Sequence, residues 1–160
     1  MSDTNRLVFE EVSPSGRAAM LGLERVVHES NLEGSLLELV KIRASQINGC
    51  AFCIDMHTKD ATAAGEREDR IHLLPAWREA PFYSPRERAA LQWTEALTRL
   101  PETGAPDEAY DQAAAQFTEE ELATLTLAIV AINGWNRLAV GFRKPAGTYV
   151  PSPAATGGRR

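Results

Sequence analysis

The chain has 160 residues, 44% hydrophobic and 24% charged, which suits one packed domain and excludes wholesale disorder. Lys and Arg number 17 against 22 Asp and Glu, a formal net charge of −5 with no basic run, which excludes nucleic-acid binding through clustered phosphate contacts. Two cysteines, a charged N-terminus and no polar-free stretch of spanning length predict a cytoplasmic protein with no disulfide scaffold, secretory leader or transmembrane helix.

Helical periodicity dominates, and no segment alternates apolar and polar residues over a strand's length, so an all-α fold is predicted. Residues 1–16 are polar and end in Ser13-Pro14-Ser15-Gly16; an extended arm is expected. A helix from Arg17 to Glu29 places Ala19, Leu23, Val26 and Val27 on its inner side. The next, Leu32 to Ile47, is apolar around most of its circumference (Leu36, Leu37, Leu39, Val40, Ile42, Ile47) and should be central. Asn48-Gly49 ends it, because glycine accepts the left-handed backbone that closes a helix. A third helix starts at Cys50 and stops near Gly65, and a Pro-broken stretch runs from Glu66 to Tyr83. Ser84-Pro85-Arg86-Glu87 carries a cap, a first-turn proline and the Glu of a capping box. The helix it opens runs to Leu100, with Ala89, Trp93, Ala96 and Leu100 on one stripe. Pro101 to Pro106 is predicted as loop and Pro106 to Phe117 as helix. Thr118 to Glu121 is a second capping box, opening the longest apolar helix, Glu119 to Phe142. The expected organisation is an arm (1–16), one helical domain (17–143) and an extended or disordered tail (144–160).

The chemistry concentrates between Glu38 and His57. Cys50 and Cys53 form C-A-F-C, and His57 follows Cys53 by four residues. Side chains three and four apart share a helix face. Cys50, Cys53 and His57 therefore make one stripe with Ile54, Ala61 and Ala64, opposite Asp55, Lys59 and Thr62. Unpaired N–H groups and the dipole of a first turn favour a thiolate there, and His57 can take the proton from Cys53. Glu38 joins through the hairpin: it lies roughly 16 Å of helix before Gly49 and His57 roughly 12 Å after it, so the two come nearly level. A carboxylate flanked by Leu36, Leu37, Leu39 and Val40 needs a partner, and His57 is the one in reach, directly or through one water.

Three other readings of these residues compete. One is a zinc site built from two thiols and an imidazole. Another is a pair of inert core cysteines beside a surface histidine. A third is thioredoxin-type chemistry, whose fold expects a strand where a helix precedes C-x-x-C here. Elsewhere, His28 and His72 read as surface or packing residues, and Trp77, Trp93 and Trp135 as core or interface anchors. Asn133 and Asn136 read as partners for buried polar groups or a subunit contact, and Gly134 as a site of close helix approach.

The segment E-L-V-K-I-R-A-S-Q-I-N-G-C-A-F-C-I-D-M-H-T-K-D-A, Glu38 to Ala61, resembles the core of the alkylhydroperoxidase AhpD-like proteins of the carboxymuconolactone decarboxylase superfamily. The likeness continues through Leu73 to Ala96 and Ile132 to Val140. It implies a single-domain helical bundle whose hairpin carries the C-x-x-C-x-x-x-H site, assembled as trimers or hexamers. It also implies thiol-dependent reduction of hydroperoxides. By motif position, Cys53 is the peroxidatic thiol, Cys50 the resolving thiol, and His57 with Glu38 the proton relay; no metal or cofactor is implied. AhpD itself has a His between the cysteines, where this chain has Phe52. The expected reductant is an external dithiol, which in this family can be a lipoyl group on a carrier protein. Cys50, nearer the helix start, is expected to be the more accessible sulfur and the one attacked. A γ-carboxymuconolactone decarboxylase and a redox-sensing protein without turnover are the alternative functions. No nucleic-acid or membrane partner is expected, and the apolar helix surface points to a homo-oligomer.

Overall fold

Gly49, at φ 66°, reverses the chain between two helices that pack closely against each other, Gly34–Asn48 and Ala51–Ala63. In this computed structural model, residues 5–152 are described, and no strand occurs among them. The helices are α1 (Phe9–Val12), α2 (Pro14–His28), α3 (Gly34–Asn48), α4 (Ala51–Ala63) and α5 (Glu68–His72). They continue as α6 (Pro85–Thr98), α7 (Leu100–Thr103), α8 (Asp107–Ala114) and α9 (Glu119–Phe142), with a 3₁₀ turn at Leu74–Ala76.

The central helix is α3, packed against α4, α6 and α9. Its Leu36, Leu37 and Val40 meet Trp93 of α6 and Leu125 and Ile129 of α9 in one core cluster. Leu39 and Ile42, turned the other way, pack with Leu74, Trp77, Tyr83 and Leu91 in a second. Burying each Leu or Ile contributes about 1.5–3 kcal/mol, so the apolar circumference of α3 joins the two halves of the core. Capping boxes at Ser84/Glu87 and Thr118/Glu121 start α6 and α9 as their sequences require. By length and composition α9 is long and apolar enough to cross a membrane (mean hydropathy 1.3). Here it instead lies against α2, α3, α4, α6 and α8, with Asn136 buried in its second half.

Several local expectations are corrected. The arm is not extended throughout: Phe9–Val12 forms a helical turn. α2 starts at Pro14, before Arg17, because a proline at the first position has its φ already set for a helix. On α2 only Val27 is buried, while Ala19 and Val26 are exposed. The Pro-broken stretch contains α5, and the loop after Thr98 contains the turn α7. Leu100 leaves the α6 stripe and is exposed, because α6 stops at Arg99. The last tail residues, 153–160, and residues 1–4 lie outside the described part.

The asparagines link α3 to α9. The Asn48 amide donates to Asn133 Oδ1 at 3.0 Å and Asn136 Oδ1 at 2.8 Å, and Asn136 donates to Ser45 Oγ at 3.0 Å. They secure the hairpin turn just before Cys50. Gly134 faces Met20 of α2, whose methyl would lie 2.9 Å from an added Cβ. A second buried network escaped the sequence reading: Glu95 accepts from Arg43, Trp77 and Arg78 at 2.8, 2.9 and 2.6 Å. Burial opposes ionisation of Glu95, but these three donors outweigh it and lower its pKa.

Candidate active site

The C-A-F-C segment both closes the hairpin turn and opens α4. Cys50 is the N-cap, with extended backbone, and its Sγ accepts the Cys53 N–H at 3.2 Å. A sulfur thus fills the position that a Ser, Thr, Asp or Asn oxygen ordinarily takes. Cys50 and Cys53 are joined by a disulfide, their Cα atoms 5.3 Å apart. Both pack against Ala44 of α3 and Ile132 and Ala139 of α9, with Phe52 and Trp135 at the edge.

One turn further along α4, His57 is buried, and its Nδ1 lies 2.9 Å from Glu38 Oε2. Burial works against ionisation of Glu38. The hydrogen bond and charge of His57, with the positive charge of Lys41, outweigh it and hold the pKa below the ordinary 4.5. Lys41 is itself ion-paired to Glu24 of α2 at 2.8 Å. An ionised Glu38 accepts from Nδ1–H, which leaves Nε2 as the basic nitrogen of the ring.

Cys53 and His57 border a cavity of about 740 Å³. Its walls include Met56 of α4, Phe9 of α1, and Trp135 and Phe142 of α9, with Pro145 and Tyr149 of the tail. Cys50 does not border it, whereas Cys53 does, and both cysteines are otherwise buried. The expectation that Cys50 is the more accessible sulfur is therefore corrected. As the N-cap it turns inward beneath the first turn, while Cys53 lies on the cavity side.

The structure thus brings Glu38, Cys50, Cys53 and His57 to one place. On the same stripe Ala61 is buried, but Ala64 lies past the end of α4 and is exposed. His28 and His72 are exposed, away from the cavity. Among the described residues no three His, Cys, Asp or Glu side chains group as metal ligands. Sequence reasoning missed Lys41, although its position one turn from Glu38 was a usable signal. It also missed Tyr149, whose hydroxyl donates to Asp60 at 2.8 Å from 89 residues away and has no local signature.

The sequence pattern of the carboxymuconolactone decarboxylase family matches residues 15–96. The chain is 44% identical over 137 residues to the uncharacterized protein YdfG of Bacillus subtilis (strain 168), covering 86% of this chain and 93% of that protein. It is similar to the crystal structure of ATU0492 from Agrobacterium tumefaciens, a protein of unknown function suggested to be an antioxidant defence protein, AhpD. The TM-score is 0.87 with 46% identity, over 91% of this chain and 100% of that one. The debrominase Bmp8 shares the fold at a TM-score of 0.78 and 20% identity, over 86% of this chain and 74% of that one.

Proposed function

The chain belongs to the carboxymuconolactone decarboxylase family, and on that premise we propose that it is a thiol-dependent peroxidase, with Cys53 the nucleophile and Cys50 the resolving thiol. The observation that carries this reading is the Cys50–Cys53 bridge beside a cavity bordered by Cys53 and His57. Decarboxylation uses proton transfer and an anion pocket and has no need of a dithiol, so the bridge supports the peroxidase branch over it.

In the reduced protein, His57 Nε2 takes the proton of Cys53, and Glu38 stabilises the resulting imidazolium through Nδ1. The thiolate attacks one oxygen of a hydroperoxide. The O–O bond breaks, Cys53 becomes a sulfenic acid, and the leaving alkoxide takes the proton from His57 as an alcohol. The Cys50 thiol then attacks the sulfenic sulfur; the S–S bond forms and water leaves. An external dithiol returns the bridge to two thiols and is itself oxidised to a disulfide. Because Cys53 is the sulfur that borders the cavity, the dithiol attacks Cys53 and Cys50 leaves. A lipoyl group on a carrier protein is such a dithiol. The reading also keeps the homo-oligomer, in agreement with Val26, Val130 and Val140 exposed on α2 and α9.

The test is hydroperoxide consumption with a dithiol, comparing the wild type with Cys53→Ser. Loss of turnover in the variant supports the reading; full activity in Cys53→Ser removes Cys53 from the mechanism.

A further inference from the structure

The tail does not simply leave the molecule after α9. It turns at Arg143 (φ 56°) and doubles back along α4. The Gly147 N–H donates to Asp55 Oδ2 at 3.1 Å, Lys59 Nζ donates to the Tyr149 carbonyl at 3.0 Å, and the Tyr149 hydroxyl donates to Asp60 at 2.8 Å. At its other end Lys144 pairs with Glu10 of the arm. Phe9 stacks on Phe142 with ring centroids 6.3 Å apart, and the Arg6 N–H donates to the Phe142 carbonyl at 2.9 Å. Arm and tail are thereby fastened to each other as well as to the bundle.

Pro145, Thr148 and Tyr149 border the same cavity as Cys53 and His57. The tail is therefore a wall of the thiol site. Asp60, its last anchor, lies one turn along α4 from His57. Burial and the Asp60 carboxylate push the Tyr149 phenol up to about 12, so it remains a hydrogen-bond donor at neutral pH.

Both cysteines of the bridge are at most 2% exposed. Thiol–disulfide exchange requires an incoming thiolate to reach a sulfur atom, so access sets its rate. The tail segment at this cavity has no helical ladder of its own and is held by a few side-chain contacts. We propose that Tyr149, through Asp60, is a positioning residue that pins the tail as a strap over the thiol cavity and so sets how fast a dithiol reaches the Cys50–Cys53 bridge. The identification of a dithiol as the physiological reductant rests on the peroxidase reading; the control of access does not.

The exchange balances in two steps. One thiolate of the dithiol attacks Cys53, the S–S bond breaks, and Cys50 leaves as a thiolate that takes up a proton. The second thiol of the reagent, deprotonated, then displaces Cys53, which is protonated in turn, and the reagent closes into a cyclic disulfide. Two electrons pass from reagent to protein.

The experiment follows thiol release from the oxidised full chain under increasing dithiothreitol, with no peroxide present. Tyr149→Phe keeps the ring in the cavity wall but removes the hydroxyl. It should be reduced about tenfold faster than the wild type, the loss expected for one charge-assisted hydrogen bond. The wild-type rate should level off at high dithiothreitol, where strap opening limits it, and the variant should level off higher. Asp60→Ala removes the acceptor and should behave alike; if either variant fails to fold, the other decides. A merely structural tyrosine would lower the melting temperature and leave the reduction rates unchanged. Wild-type reduction rates in a folded variant, at every dithiothreitol concentration, would overturn the proposal. Since no peroxide is consumed, this outcome is independent of whether the protein proves to be a peroxidase.

Discussion

Glu38 and His57 meet at 2.9 Å across the α3–α4 hairpin, although 19 residues separate them in sequence. The contact gives the imidazole a fixed orientation and a fixed tautomer, and it answers the cost of placing a carboxylate among Leu36, Leu37, Leu39 and Val40. Turnover should depend on both groups. His57→Ala should lower peroxide consumption by about 10²–10⁴-fold, the range of one positioned general base. Glu38→Gln keeps an acceptor for Nδ1–H but loses the charge, and should show a smaller loss. Equal losses in the two variants would contradict a supporting role for Glu38.

The same pair predicts a pH dependence of stability. The folded pKa of Glu38 lies below 4.5, so near that pH the folded protein binds fewer protons than the unfolded chain. The stabilisation is therefore full above 4.5 and is lost as pH falls through the lowered folded value. Thermal melts of wild type and Glu38→Gln should show the wild type more stable at neutral pH, with the gap closing on acidification. A gap that does not change with pH would count against an ionised Glu38 in the folded protein.

The two cysteines should fail in different ways. After one equivalent of hydroperoxide, Cys50→Ser should gain one oxygen at Cys53 and react with a sulfenic-acid reagent, because no resolving thiol remains. Cys53→Ser should gain nothing. Intact-protein mass spectrometry reads both results.

The turn beneath the site should be sensitive to Asn136, which is 1% exposed and joins Ser45 to Asn48. Asn136→Ala strands the buried Ser45 hydroxyl, while the Asn48 amide keeps Asn133 as its acceptor, and should cost about 1–3 kcal/mol. Urea unfolding measures the loss, and a variant as stable as the wild type would contradict the network's role.

The core of this site was legible because each of its relationships is local or nearly so. Cys50, Cys53 and His57 follow helical spacing. Glu38 follows from counting the helical rise on either side of Gly49, whose positive φ makes the hairpin. The capping boxes placed the starts of α6 and α9 for the same reason. What escaped were contacts between distant segments with no period to betray them: Tyr149 on Asp60, Phe9 on Phe142, and Glu95 among Arg43, Trp77 and Arg78. Nearness to a helix start does not bring Cys50 near solvent. As an N-cap beside Ala44 and Ile132, its sulfur points into the bundle.

The most direct measurement is a count of free thiols, with intact mass, before and after one equivalent of hydroperoxide. The reduced chain should carry two titratable thiols, and the treated chain none, with its mass lower by two hydrogens and one alcohol formed per chain. Two thiols still titrating while the peroxide remains unconsumed would contradict the redox role given to Cys50 and Cys53.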